Sequence, residues 1–365
     1  MKVAVAAARR RFSTGAVAAV IAAAIFIAGC APPAGSQHTS RQDAASSSPG
    51  GADPQRPAPG SAHSDQLPGL GSGAPAQPTA PLDKPFRFAV MGDSRGLSNG
   101  LNDSTLRTLM QMAKKQSPAP EFVLFTGDQV MGGSDVASQL AAWRNAVDDY
   151  FPMTSVFPAL GNHEHDEKIF TDAFQTLPNE QLEGYGRTAY FFDHGNARFI
   201  TLNSNRKNAS GKYIIRKEQL DWLEGLLKSR EKTHYFVQVH VPAYPVGAHL
   251  GNSLDGDPAA RDALWEVLDR YNVTAVFVGH EHNYNRRRID ANFDGSGHHF
   301  KNVIYQLTLG GAGAPLYAGS KETKQVLSGP KASYHYMIVD VAGATARFKT
   351  YDLQQNEIDS FTVRR

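Results

Sequence analysis

The sequence holds a single cysteine, Cys30, among 365 residues. One thiol cannot close an internal disulfide, and a cysteine at an export cleavage point is not available for thiol catalysis. An excess of charge of one sign is also missing. There are 37 Lys and Arg against 35 Asp and Glu, a formal net charge of +2. That balance leaves no footprint for a polyanion, so no nucleic-acid partner is expected. Long hydrophobic runs are scarce as well. The one sustained apolar segment, Ala16–Ala28, is too short to span a bilayer comfortably. Finally, residues 31–82 contain no aromatic side chain.

These absences shape the reading of the N-terminal quarter. Lys2, Arg9, Arg10 and Arg11 precede the apolar segment, which ends in Ile27-Ala28-Gly29-Cys30. A basic stretch, a short apolar run and small residues before a break make a secretory signal over 1–29. The stretch resembles the lipobox of bacterial lipoproteins, in which this cysteine becomes the lipidated first residue. An ordinary signal peptide with a chance cysteine is the alternative. The expectation is an exported protein of the bacterial cell envelope, tethered to a membrane by lipid on Cys30. From 30 to 82 Pro, Gly, Ser and Ala dominate. Such a stretch buries too little surface to offset chain entropy, and it reads as a flexible spacer. His38 and His63 fall inside it and read as solvated linker residues.

Residues 83–365 suit one large α/β domain. Short runs rich in β-branched and aromatic residues predict strands at 87–91, 122–125, 155–160, 189–192, 198–202, 235–239, 275–278, 303–308, 336–341 and 346–351. Helices are expected from Ser104 to Lys115, from Lys217 to Ser229, and from Pro258 to Tyr271, the last with proline at its first position. Two mixed sheets covered by helices follow from this order.

Polar clusters stand just after the apolar runs: GDSRG at 92–96, TGD at 126–128, GNHEH at 161–165, His240 in VHVP, and GHEH at 279–282. Each alone reads as a turn, a capped loop or a satisfied histidine. Together they place two Asp, one Asn and several His at strand ends, where α/β folds carry their chemistry. Carboxylates, an amide oxygen and imidazoles suit Zn, Fe, Mn or similar divalent ions. Six such ligands are too many for one tetrahedral ion and match two ions sharing a carboxylate, an arrangement used for phosphoryl displacement.

The ordered series GD, GD, GNHE, H, GHEH resembles the calcineurin-like metallophosphoesterase superfamily. His240-Val-Pro-Ala-Tyr244 and Gly279–Arg286 are most similar to its purple acid phosphatase branch. The resemblance implies a four-layer αββα sandwich with the site where loops of both sheets meet. It implies that Asp128 bridges two metals, that Asp93 and His282 complete the first site, and that Asn162, His240 and His280 complete the second. His163 would be the histidine that binds phosphate or protonates the leaving group. A hydroxide held between the ions would attack phosphorus in line.

The sequence departs from the family pattern in two places. Arg95 stands where the superfamily usually has a histidine ligand. Met131 stands where the purple acid branch has a tyrosine, and a thioether is a poor ligand for a hard cation. The first site is one protein ligand short; water, Asn99 or another loop residue could fill it. Arg95 has three open readings: a substrate phosphate donor, an ion-pair partner for a carboxylate such as Asp93, or the mark of a domain that has lost catalysis. Tyr244 and His249 are substrate-side candidates against simple loop packing, and Asn283 and Tyr284 could face the cleft. Arg286-Arg287-Arg288 reads as a charged surface loop. The turn at Gly310–Gly313 reads as a tight strand exit, and Asp290–Gly295 as a hairpin turn, because Lys301 stands where a calcium loop needs glutamate.

The expected function is an exported phosphoesterase using two divalent metals on a small-molecule phosphate ester, a monoesterase first. A nucleotide phosphodiesterase and a non-catalytic surface protein binding phosphorylated ligands are the alternatives. The sequence does not indicate an oligomeric state.

Overall fold

The first strand, β1 (Phe86–Met91), is buried on both faces, and its Phe88 sets the layering of the domain. The computed structural model describes residues 84–319 and 321–365. The expected signal segment 1–29, the linker 30–82 and Asp83 lie outside the described residues. No helix among the described residues is long and apolar enough to cross a membrane.

The elements in order are β1, α1 (Asp103–Lys114), β2 (Phe122–Phe125), α2 (Val136–Asp148), β3 (Val156–Pro158), α3 (Glu167–Ala173), β4 (Tyr190–His194), β5 (Ala197–Leu202), α4 (Lys217–Lys228), β6 (His234–Val239), α5 (Pro258–Arg270), β7 (Ala275–Val278), β8 (Tyr284–Ile289), β9 (Ile304–Leu309), β10 (Val326–Lys331), β11 (His335–Ala342), β12 (Thr345–Asp352) and β13 (Glu357–Arg364). One sheet runs β13-β12-β11-β1-β2-β3, with β1, β2 and β3 parallel. The other runs β10-β8-β9-β7-β6-β5-β4, parallel through β5, β6, β7 and β9.

Phenylalanines fill the space between the sheets. The Phe88 ring lies 5.1 Å from Phe199 on β5 and 5.4 Å from Phe236 on β6, both in the opposite sheet. Leu106, Leu109 and Met110 of α1 join Leu140 and Trp143 of α2 in the same core. Leu223 and Leu227 of α4 and Trp265 and Leu268 of α5 pack with Ile200, Val237 and Val276 in a second one. The result is the expected four-layer αββα order, with helices outside two facing sheets.

All ten expected strands and all three expected helices form, with ends shifted by up to two residues. The structure adds α2, α3, β8, β10 and β13. The arginine run is a correction: Arg286–Arg288 belongs to β8, inside a sheet, and not to a surface loop. Arg287 is buried and donates to the carbonyls of Lys324 and Glu322, while Arg286 pairs with Asp359. Main-chain oxygens and the Asp359 carboxylate, all from distant segments, hold Arg287 and Arg286 in the sheet, which a local charge pattern cannot reveal.

Candidate metal centre

The five polar clusters follow the C-terminal ends of β1, β2, β3, β6 and β7, so strand direction alone carries them to one rim. The backbone there is held in sparsely populated conformations. Asp93, Asp128 and His280 all have positive φ, at 62°, 50° and 69°. Non-glycine residues in this region cost of order 1–3 kcal/mol each and persist where surrounding contacts enforce them. The enforcing contacts are visible. Asp93 N donates to Gly127 O at 3.0 Å, Ser94 N to Asp128 O at 3.0 Å, and His280 N to Asp93 Oδ1 at 2.9 Å. Two glycines permit the crowding: a Cβ at Gly127 would meet His240 Nδ1 at 2.5 Å, and one at Gly161 would meet Asp128 N at 2.1 Å.

Donor atoms gather in two groups that share Asp128. Asp128, His240 and His280 place ligand atoms within 4.8 Å of one another, as do Asp93, Asp128 and His282. Asn162 joins the first trio, its Oδ1 lying 2.9 Å from His240 Nε2 and 2.7 Å from His280 Nδ1. Two imidazoles are oriented from behind. His240 Nδ1 lies 2.8 Å from Thr126 O, and His282 Nδ1 lies 2.9 Å from Pro315 O. Carbonyls accept only, so in the neutral rings each Nδ1 carries the proton and each Nε2 presents a lone pair to the centre.

The residues fit metal ions. Asp93 Oδ2 and His280 Nε2 are buried without a hydrogen-bond partner. Burial pushes the Asp93 carboxyl well up, and the Asp128 charge adds to it. For Asp128 burial pulls the same way, but His240, His163 and His280 together hold it low. Burial would lower His240; Asp128 outweighs that and brings it up to about 9. Two buried carboxylates among imidazoles, with Asp93 Oδ2 and His280 Nε2 left without partners, form a site that a cation completes. Glu164 supports it from beneath, accepting from the N–H groups of Asp128, Val130 and Gly161.

His163 and Arg95 flank Asp128. His163 N donates to Asp128 Oδ1 at 3.0 Å, its Nδ1 lies 2.6 Å from Met131 O, and its Nε2 stands 3.8 Å from Asp128 Oδ2. The Arg95 guanidinium sits at the first group, with one nitrogen 3.5 Å from His282 Nε2, another 3.5 Å from Met131 Sδ, and Nε 3.9 Å from Asp128 Oδ2. Its nearest carboxylate is thus Asp128, at long range, and not Asp93. Burial, then the Arg95 charge, bring His282 down to about 4.

His249 reaches the centre, its ring 3.9 Å from that of His280. Tyr244 does not, which corrects its reading as a cleft residue. It is buried in the second core, 5.1 Å from Trp265 and 4.8 Å from Phe293, where α5 and the loop after β8 supply an aromatic pocket. Asn283 and Tyr284 are buried too; Tyr284 donates to Asp359. Asn99 lies in an exposed turn beside a separate cavity. The glycine turn closes on the site, Ala314 N donating to Asp93 O at 2.8 Å. Tyr317 and Tyr213 were not legible. Tyr317 donates to His280 O at 3.1 Å and its ring lies 5.0 Å from His282, while Tyr213 stands edge-on to His280 at 5.9 Å. No local motif marks either.

This fold and donor set define a metal-dependent phosphoesterase. Residues 86–284 match the family model described as calcineurin-like phosphoesterase, and the chain belongs to that family. Its described residues include two groups of side chains that could each hold an ion. The chain is 30% identical over 223 residues to purple acid phosphatase 21 of Arabidopsis thaliana, covering 57% of this chain and 46% of that protein. It is 25% identical over 205 residues to the cyclic GMP-AMP phosphodiesterase SMPDL3A of Rattus norvegicus, covering 46% and 45%. Among solved structures, the purple acid phosphatase PPD1 from yellow lupin superposes with a TM-score of 0.60 at 18% identity, over 78% of this chain and 55% of that one. The chain spans about half the length of these curated relatives.

Proposed function

We propose that the protein is an exported phosphomonoesterase acting on small-molecule phosphate esters. The carrying observation is the shared Asp128, with two ligand groups on either side of it and the His163 and Arg95 side chains beside it. Asp128 would serve both ions in this reading; Asp93 and His282 would hold the first with it, and Asn162, His240 and His280 the second. Bound ions supply the positive charge that activates water and offsets charge on the phosphoryl group. His163, its ring fixed by Met131 O, points Nε2 toward that position and passes a proton to the departing oxygen. Arg95 offers N–H groups to a phosphoryl oxygen, and Met131 and His282 hold it there. A monoester carries more negative charge at phosphorus than a diester, and the added Arg95 charge favours it.

The phosphodiesterase reading draws on the SMPDL3A relative. Metal-loaded protein assayed with p-nitrophenyl phosphate and bis(p-nitrophenyl) phosphate separates the two. The expected result is monoester hydrolysis at least ~10-fold faster; the reverse order establishes a diesterase, and no turnover of either supports a binding protein. The Lys2–Cys30 pattern supports anchoring in the bacterial envelope through lipid on Cys30. Cys30→Ser is expected to move the protein out of the membrane fraction; unchanged fractionation contradicts the anchor.

A further inference from the structure

A cavity of roughly 370 Å³ opens beside the second ligand group. Asn162 and His280 form its inner wall, and Lys207, Lys212, Tyr213 and His249 lie around it. No Asp or Glu is among the residues that line it. Some lysines elsewhere pair with carboxylates: Lys168 with Asp172, Lys217 with Asp221, Lys232 with Asp193, Lys324 with Asp294 and Lys349 with Glu357. Lys207 and Lys212 make no such pair among the described residues. Lys207 Nζ lies 4.3 Å over the Tyr213 ring, and Lys212 Nζ has only the Gly251 carbonyl, at 3.4 Å.

The turn that carries Lys212 is hydrogen-bonded in place. Asn208 Oδ1 accepts from Ser210 N and Lys212 N, both at 2.9 Å, and Asn208 N donates to Lys212 O at 2.9 Å. Asn208 Nδ2 donates to Asp257 Oδ2 at 2.9 Å, tying this turn to the start of α5. A rigid turn thus presents two uncompensated ammonium groups around the mouth of a cavity whose inner wall carries metal ligands. Charges of one sign gathered in a concave site create a field that an anion relieves.

We infer that this cavity receives the leaving-group part of the ester, and that this part carries a second anionic group, phosphate or carboxylate, held by Lys207 and Lys212. The inference rests on the phosphoesterase reading and narrows its substrate class to esters with two separated anionic groups. Hydrolysis remains the same reaction: water oxygen bonds to phosphorus, the ester P–O bond breaks, and the leaving oxygen takes a proton.

The test compares kcat/KM of metal-loaded wild type for glycerol 3-phosphate, 3-phosphoglycerate and fructose 1,6-bisphosphate, with p-nitrophenyl phosphate as reference. The bisphosphate and the carboxylate arms identify which anion is preferred. Wild type is expected to favour one doubly anionic ester over glycerol 3-phosphate by about tenfold or more. In Lys207→Gln/Lys212→Gln that ratio is expected to collapse toward one through KM, each lysine accounting for up to about tenfold. Lys207→Arg/Lys212→Arg is expected to restore it, and an unchanged melting temperature shows that the fold survives. The inference is overturned if wild type shows no preference or the double Gln variant keeps it. If p-nitrophenyl phosphate is hydrolysed while the lysine ratio stays flat, the subsite alone fails. If none of the esters turns over, the phosphoesterase reading fails with it.

Discussion

The two ligand groups share Asp128 and the same rim of the molecule, yet they are built to different standards. The second group has four protein donors, with Asn162 Oδ1 within 2.9 Å of both His240 Nε2 and His280 Nδ1. The first adds only Asp93 and His282 to the shared carboxylate, and a guanidinium nitrogen stands 3.5 Å from His282 Nε2. At an effective dielectric of about 20, two unit charges 4 Å apart interact by roughly 4 kcal/mol. An ion in the first group therefore has fewer ligands and, in Arg95, a permanently charged neighbour of like sign. One fold can thus present two metal positions of unequal strength by changing a single loop residue, Arg95, and the residue packed against it, Met131.

The largest expected effect removes what the two groups share. Asp128→Asn takes the bridging charge from both, and turnover of an aryl phosphate should fall about a thousandfold or more, with metal content falling alongside. Retained turnover would break the two-metal reading. The next pair of variants divides the groups. After dialysis against metal-free buffer, His282→Asn should keep about one equivalent of metal and His240→Asn should keep less; metal analysis giving the opposite order would invert the comparison.

Arg95 gives a smaller and more informative change. Arg95→His puts an imidazole in place of the guanidinium and should tighten the weaker ion about ten- to a hundredfold. Arg95→Ala should raise KM for p-nitrophenyl phosphate about tenfold, the scale of one charge-assisted hydrogen bond. If Arg95→Ala lowers only the melting temperature, the arginine is a packing residue.

The smallest expected effect on the centre comes from His335, which separates acid unfolding from acid loss of metal. Burial brings this histidine down to about 4, and its Nε2 has no partner. The unfolded chain binds a proton near its ordinary pKa of about 6.5, and the folded chain does not until about 4. Stability from this group is complete above about pH 6.5 and is lost as pH falls to about 4, on the order of 3 kcal/mol in all. His335→Asn should flatten that slope in denaturation curves and leave metal content at neutral pH unchanged. An unaltered acid limb would assign acid lability to the metal centre instead.

Much of the centre was legible because each ligand sits in a short motif at the end of a strand of β-branched and aromatic residues. Phe122–Phe125 before Gly127-Asp128 is such a case, and so is Ala275–Val278 before His280. What escaped depends on distant partners. Strand β8 reads as polar until the carbonyls of Glu322 and Lys324 meet Arg287. Edge strand β10 contains Gly329-Pro330, a pair that locally signals a turn. Tyr244 resembles a cleft residue by position after His240, but its neighbours Trp265 and Phe293 come from α5 and the loop after β8. Tyr317 reaches His280 and His282 from a segment with no motif, carried there by the turn at Gly310–Gly313.

The inequality of the two metal positions is tested most directly by equilibrium metal titration of the metal-free protein, wild type beside Arg95→His. Two ions per wild-type chain with affinities at least about tenfold apart, and a narrowed gap in Arg95→His, are the expected result. Two ions of equal affinity in wild type, or a gap that Arg95→His leaves untouched, would contradict it.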